Sequence, residues 1–198
     1  MKKIFLIPVL FGASLGILFA QESVQSKTKF GVTLSTNIFG IKDDLNNVSV
    51  GGGIYIIRKI TNRFSIYSEI IGSSRDYGDL SLLPGSYEKF TTGILAIYIA
   101  PMIDIGKNTT LSLGLVDNHL FRSKLKTATG SKDVKDEIKN YSSLFFDIRH
   151  QISKKITLGT RYEWGLNSMM KTTDRKVTTI SLNTFVQFGR YLSEEKSK

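Results

Sequence analysis

The feature that most restricts what this chain can fold into is a hydrophobic period of two, not 3.6, repeated in segments of about ten residues between clusters of turn residues. In the first segment Phe30, Val32, Leu34 and Ile38 share one face, with Gly31, Thr33, Ser35 and Asn37 on the other. From Val50 to Ile60, Ile54 and Ile56 stand opposite Gly51, Gly53 and Tyr55, and from Phe64 to Gly72, Phe64, Ile66 and Ile70 stand against Ser65, Tyr67 and Glu69. The fourth segment, Phe90 to Ile103, is apolar on both faces, so its register stays open. Leu111, Leu113 and Leu115 then alternate with Thr110, Ser112 and Gly114, and Leu144, Phe146 and Ile148 with Ser143, Asp147 and Arg149. The seventh segment sets Ile156, Leu158, Tyr162, Trp164 and Leu166 against Thr157, Gly159, Arg161, Glu163 and Gly165, and the eighth sets Ile180, Leu182, Val186 and Phe188 against Thr179, Ser181, Asn183 and Gln187. Eight such segments predict an all-β protein of antiparallel strands.

The connections alternate in length. Short turns at Thr61-Asn62-Arg63, Gly106-Lys107-Asn108 and Ser153-Lys154-Lys155 separate long loops near residues 40–48, 73–88, 119–140 and 168–176. Short turns at one end, long polar loops at the other and both termini on the short-turn side predict an eight-stranded antiparallel up-and-down transmembrane β-barrel. Ahead of it, Met1-Lys2-Lys3, an apolar run from Ile4 to Leu18 and Ala20 before Gln21 read as a secretory signal peptide over residues 1–20, the alternative being a retained anchor. Residues 21–198 then form one barrel domain. No later stretch reaches the roughly 20 apolar residues of a membrane helix, so a membrane location requires strands.

Alternation alone fits a soluble barrel as well, with its apolar face inward. Residue size favours the membrane: the polar face carries Gly, Ser, Thr and charges of both signs, which suit an eight-stranded lumen filled by its own side chains. A water-facing surface has no use for glycine in a strand. Counting outward from the three-residue turn between Ile152 and Ile156 sets Asp147 opposite Arg161, with Arg149 diagonal to Arg161 and Glu163 two residues along the same strand. The same counting sets Tyr55 opposite Glu69. These six residues form the expected interior polar network. Tyr162 and Trp164 near the loop end, and Phe188 and Tyr191 near the turn end, fit interfacial girdles.

Setting aside Lys2 and Lys3 leaves 25 basic against 17 acidic residues. No run of Lys and Arg interleaved with aromatics accompanies that charge, which argues against nucleic acid. The absence of cysteine excludes disulfide scaffolds, thiolate zinc sites and cysteine nucleophiles. Gly51-Gly52-Gly53 lacks the Lys-Ser/Thr of a phosphate loop, and neither a cofactor nor a metal site is expected. The excess charge gathers at the loop end as a basic rim of Arg122, Lys124, Lys126, Lys132, Lys135 and Lys139, with Lys171, Arg175 and Lys176 beside it. Such a rim suits lipopolysaccharide phosphates or an anionic polymer. Of the two histidines, His150 falls at a short turn and His119 at the loop end, with Asp117 and Ser123 close in sequence.

The chain resembles the small outer-membrane β-barrel families typified by OmpX, the transmembrane part of OmpA and related barrels common in Bacteroidetes-type genomes. The likeness rests on the whole mature chain, on the third-strand run Arg63-Phe64-Ser65-Ile66-Tyr67-Ser68-Glu69, and on Ser181, Val186 and Phe188 in the last strand, where Asn183 replaces the usual Gly and a tail from Ser193 to Lys198 follows. The resemblance implies insertion by the barrel-assembly machinery into the bacterial outer membrane, contact with its lipid and lipopolysaccharide, and a structural or surface-interaction role through extracellular loops whose ligand is unknown. An open porin is not expected. Lipid-modifying barrels such as lipid A deacylases and palmitoyltransferases, and a secreted lipocalin-like carrier, stand as alternatives; no enzymatic activity is expected.

Overall fold

The computed structural model describes residues 28–41, 44–77, 87–127, 130–171 and 176–191. The expected leader, the C-terminal tail and Arg175 lie outside them. Among the described residues nine strands follow one another: β1 (Thr28–Ile41), β2 (Asp44–Lys59), β3 (Phe64–Tyr77), β4 (Tyr87–Asp104), β5 (Thr109–Thr127), the short β6 (Gly130–Asp133), β7 (Tyr141–Gln151), β8 (Ile156–Gly165) and β9 (Val177–Tyr191). Each of the eight long strands pairs antiparallel with its sequence neighbours, β5 pairs β7 directly, and β1 pairs β9. The sheet therefore closes as an eight-stranded barrel, with β6 as a flap on the outer end of β5. Closure pairs the backbone groups that a membrane leaves no water to satisfy.

The three short turns lie where the sequence places them. Ile60, Ile105 and Ile152 each donate their amide back to the residue four ahead, at 2.8, 3.0 and 3.0 Å. The hydroxyls of Thr61 and Ser153 accept the amides of Phe64 and Ile156, both at 3.1 Å, the local side-chain bond that makes Ser and Thr turn formers. The long loops are shorter than expected. Ile41 already pairs Asp44, β3 runs on to Tyr77, and β5 continues through residues 119–127 against β4 and β6. Polar and charged residues here keep the strand ladder, so composition changes while pairing does not. At roughly 3.4 Å per residue and a tilt of about 40°, 19-residue β5 rises well above an apolar band of about 25 Å.

The faces fall as the alternation predicts. Leu34, Val50, Leu113 and Trp164 point outward, each more than half exposed, while Thr33, Ser35, Asn37, Glu69, Ser112, Asp147 and Arg161 point inward and are buried. In β4 the even positions Ile94, Ala96, Tyr98, Ala100 and Met102 are inside and Leu95, Ile97, Ile99 and Ile103 outside, which settles the open register. Pro101, with no amide to donate, sits at the break in β4–β5 pairing between Ile99 and Met102. Opposite it β5 comes so close that a Cβ on Gly114 would lie 2.2 Å from the Ile99 carbonyl oxygen.

The buried interior has two layers. Its middle is polar. Its loop end is an apolar plug of Tyr77, Phe90, Leu125, Val134, Ile138, Met169 and Met170, all nearly inaccessible. The plug is tied down by an Ile138–Met170 bridge and by amides of Lys139 and Lys171 donating to the carbonyls of Met169 and Glu137 at 2.9 and 3.1 Å.

Candidate functional site

The β7–β8 register sets Asp147 opposite Arg161 inside the lumen, as the turn count predicts. Arg161 Nη2 donates to Glu69 Oε2 at 2.8 Å, to Asp147 Oδ2 at 3.0 Å and to the Tyr67 hydroxyl at 2.8 Å. Arg149 donates from Nε and Nη2 to the same Asp147 oxygen at 2.9 and 2.6 Å. One carboxylate oxygen thus lies between two guanidinium groups, which relieves the repulsion a diagonal arginine pair would otherwise create. Room for Arg149 comes from Gly159 opposite it, where an added Cβ would fall 3.2 Å from Arg149 Cγ. The Arg149 guanidinium is sandwiched between the rings of Tyr67 and Phe185, 3.8 and 4.1 Å from their centroids, and Arg161 lies 4.1 Å over Tyr98. Ring faces supply electron density where water is absent.

Two expected members behave differently. Tyr55 lies opposite Glu69, but Tyr67, two residues before Glu69 on its own strand, is the tyrosine that donates to that carboxylate. The Tyr55 ring packs edge-on against Phe185. Glu163 is buried in the lumen, yet it is held by the Tyr98 hydroxyl at 2.7 Å rather than by Arg161. Sequence reasoning missed Arg75, whose Nη1 donates to Tyr141 and Thr179 at 3.0 and 3.2 Å. It also missed the hydroxyl cluster round Asn37, which accepts from Ser35 and Ser181 at 2.6 and 2.7 Å and donates to Ser49 at 3.2 Å. Arg75 shares the odd, inward parity of Glu69, so extending β3 would have found it.

The basic rim is not a loop cluster. Arg122, Lys124 and Lys126 lie on β5 itself, exposed on the outer wall beyond a bulge that leaves Phe121 more than half exposed. Lys132, in β6, pairs Leu125 in register and reaches Glu137 at 3.3 Å. Lys139, Lys171 and Lys176 are exposed at the same end, Lys135 belongs to a single 3-10 turn, Lys135–Glu137, and Arg175 is outside the described residues. The expected rim is therefore partly a wall, because strand pairing persists above the apolar band.

His119 is partly exposed on the same wall, with Nε2 3.0 Å from Asp117 and Nδ1 accepting from Asn140 at 3.1 Å. Ser142 donates to the other Asp117 oxygen at 3.1 Å, not to His119. Ser123, near in sequence, faces the lumen and is buried. His150 sits at the short-turn end against the Thr109 hydroxyl, 3.0 Å away. The histidines thus lie at opposite ends of the β5–β7 ladder.

A closed eight-stranded antiparallel ring of this kind has solved counterparts. Ail, the attachment invasion locus protein of Yersinia pestis, solved with the heparin analogue sucrose octasulfate, matches with a TM-score of 0.54 and 14% identity, over 83% of this chain and 100% of Ail. The fold is that of the small outer-membrane barrels. Neisserial surface protein A matches with a TM-score of 0.51 and 10% identity, over 83% of this chain and 98% of its own. No protein-family model matches the sequence, and no curated protein matches it.

Proposed function

We propose that this protein is a barrel of the bacterial outer membrane with a structural and surface-interaction role, whose basic wall holds the phosphates of lipopolysaccharide. The observation that carries the reading is the exposure of Arg122, Lys124 and Lys126 on the outside of β5, above its apolar outward residues Leu111, Leu113 and Leu115 and separated from them by Asp117, His119 and Phe121. Cations at that height meet the headgroups of the outer leaflet from the side, whereas cations on loop tips would face the medium. The outward apolar wall supports a lipid environment over a soluble carrier, and the filled lumen supports a role other than an open pore. Sucrose octasulfate bound by Ail is consistent with polyanion recognition on this architecture.

Within the small barrels we assign the chain to the OmpX and OmpA type on its third strand and on Ser181, Val186 and Phe188 of its last. Export through the 1–20 leader and insertion by the barrel-assembly machinery belong to the same reading, with no enzymatic activity assigned. In the test, the triple variant Arg122→Gln, Lys124→Gln, Lys126→Gln is compared with the native chain for binding to lipopolysaccharide and to its dephosphorylated form. At about 1 kcal/mol per basic residue near an anionic surface, binding to the phosphorylated form falls roughly a hundredfold and binding to the dephosphorylated form is unchanged. Equal binding by both proteins would overturn the assignment.

A further inference from the structure

Above its last pair with β7, Asn118 opposite Tyr141, β5 meets no strand on that side among the described residues until Lys124 pairs Asp133 of β6. The segment between β6 and β7 spans this gap, and two of its residues, Val134 and Ile138, belong to the plug. It is tied to β5 at Val134, whose amide donates to the Ser123 carbonyl at 3.3 Å, and at Asn140, whose Oδ1 accepts the Leu120 amide at 3.0 Å. We propose that Asn140 and His119 form a pH-sensitive latch on this connection, closed while the imidazole is neutral and released when it takes up a proton.

The polarity of each hydrogen bond follows from the first. A backbone amide can only donate, so Asn140 turns its Oδ1 to Leu120 and its Nδ2 to His119 Nδ1, 3.1 Å away. That ring nitrogen must accept, which puts the imidazole proton on Nε2, 3.0 Å from Asp117 Oδ2. Ser142 donates to the other Asp117 oxygen at 3.1 Å and holds the carboxylate in place. A second proton would sit on Nδ1 and meet the Asn140 amide donor to donor. Turning the amide over satisfies the imidazolium but sets its NH2 group against the Leu120 amide. No orientation of Asn140 therefore serves both Leu120 and a charged His119. Asp117 accepts from Nε2 in either state, so the Asn140 side alone distinguishes them. Across the ladder β4 sets Leu95 opposite His119 and Ile97 opposite Asp117, and the next charged residues along the chain are the exposed Arg122 on β5 and Lys139 on the connection. Histidine is the side-chain type that ordinarily changes charge between about pH 5 and 8. Acid thus frees the connection from β5 at Asn140, while Val134 keeps its bond to Ser123 and the Lys139 amide keeps the Met169 carbonyl at 2.9 Å. The cover of the plug loosens and the barrel stays shut.

The test is amide hydrogen exchange, followed residue by residue by NMR on the refolded full chain in maltoside micelles and corrected for the intrinsic pH dependence of exchange. From about pH 7.5 to about pH 5.5 the protection of Leu120 is expected to fall about tenfold, the worth of one hydrogen bond. Leu115, paired with Ile99 on one side and Leu144 on the other, keeps its protection. His119→Gln retains a polar side chain without the change of charge, and its Leu120 protection is expected to be the same at both pH values. Asn140→Asp offers acceptors to Leu120 and to a charged His119 together, and is expected to remove the loss on acidification. Should His119→Gln lack the heat-dependent gel mobility of a folded barrel, Asn140→Asp decides. Leu120 protection that is constant with pH in the native chain, that falls equally in His119→Gln, or that falls together with Leu115, would overturn the proposal.

Discussion

At the loop end the lumen is stoppered by Tyr77, Phe90, Leu125, Ile138 and Met169, whereas at the short-turn end Lys29, Lys59 and Lys107 surround an open cavity. The difference follows from the length of the connections. Val134, Ile138, Met169 and Met170 of the plug lie outside the eight barrel strands, in segments long enough to fold back over the mouth. Three-residue turns cannot reach across the opposite mouth, so strand side chains and the β4–β5 turn line it without closing it. The plug closes its end by apolar packing, whereas the vestibule keeps polar and charged side chains at an open mouth.

Between the two ends, the centre should prove the costliest place to perturb. Replacing Arg161 with Met leaves Glu69 and Asp147 short of a cation in a sealed interior, and the loss should be roughly 3–5 kcal/mol. Urea unfolding in micelles followed by Trp164 fluorescence measures it; a change below 1 kcal/mol would mean that ring contacts rather than charge pairing hold the middle. Met169→Ala should cost about 2–4 kcal/mol as a cavity in the plug. The damage should be local, so trypsin cuts at Lys139 and Lys171 sooner while the barrel keeps its heat-dependent mobility. Simultaneous loss of both would show that plug and barrel are one cooperative unit. Gly114→Ala, on neither end, forces β4 and β5 apart at Ile99 and should cost about 1–3 kcal/mol, read as a lower urea midpoint. Lys59→Gln breaks only the part-exposed pair with Asp104 and should change stability by less than about 1 kcal/mol. An effect that persists in high salt would point to a vestibule lysine with a structural role.

Much of this was legible in the sequence because a period of two has a single answer for each residue once a face is buried. The Asp147–Arg161 register followed from three residues of turn, and Tyr55 against Glu69 from another such turn. What stayed hidden lay where the alternation loses contrast. In β4 both faces are apolar, so only Tyr98 meeting Glu163 identifies the inner one. Above the apolar band the outward residues become Arg and Lys, and β5 reads as loop although its ladder continues. Arg75 was lost in the same way, where the outward residues of β3 become Ser74 and Asp76. The plug could not be read at all: Val134, Ile138 and Met169 carry no periodicity, and their burial depends on contacts between distant connections.

The seam between β1 and β9 has a consequence in time rather than in space. Thr28 lies opposite Tyr191, and the ladder runs from there to Ile41 opposite Val177. No part of that ladder exists until the last strand has been synthesised, so the ring shuts at the end of assembly and against the largest loop-closure entropy in the chain. Until then β1 presents a free edge able to pair with any strand that reaches it. The Asp147 pairs with Arg149 and Arg161 are made within the adjacent strands β7 and β8, but the contact from Arg161 to Glu69 crosses the lumen to β3. Neutralisation of Glu69 therefore waits for the sheet to curl, and a truncated chain should leave that carboxylate exposed.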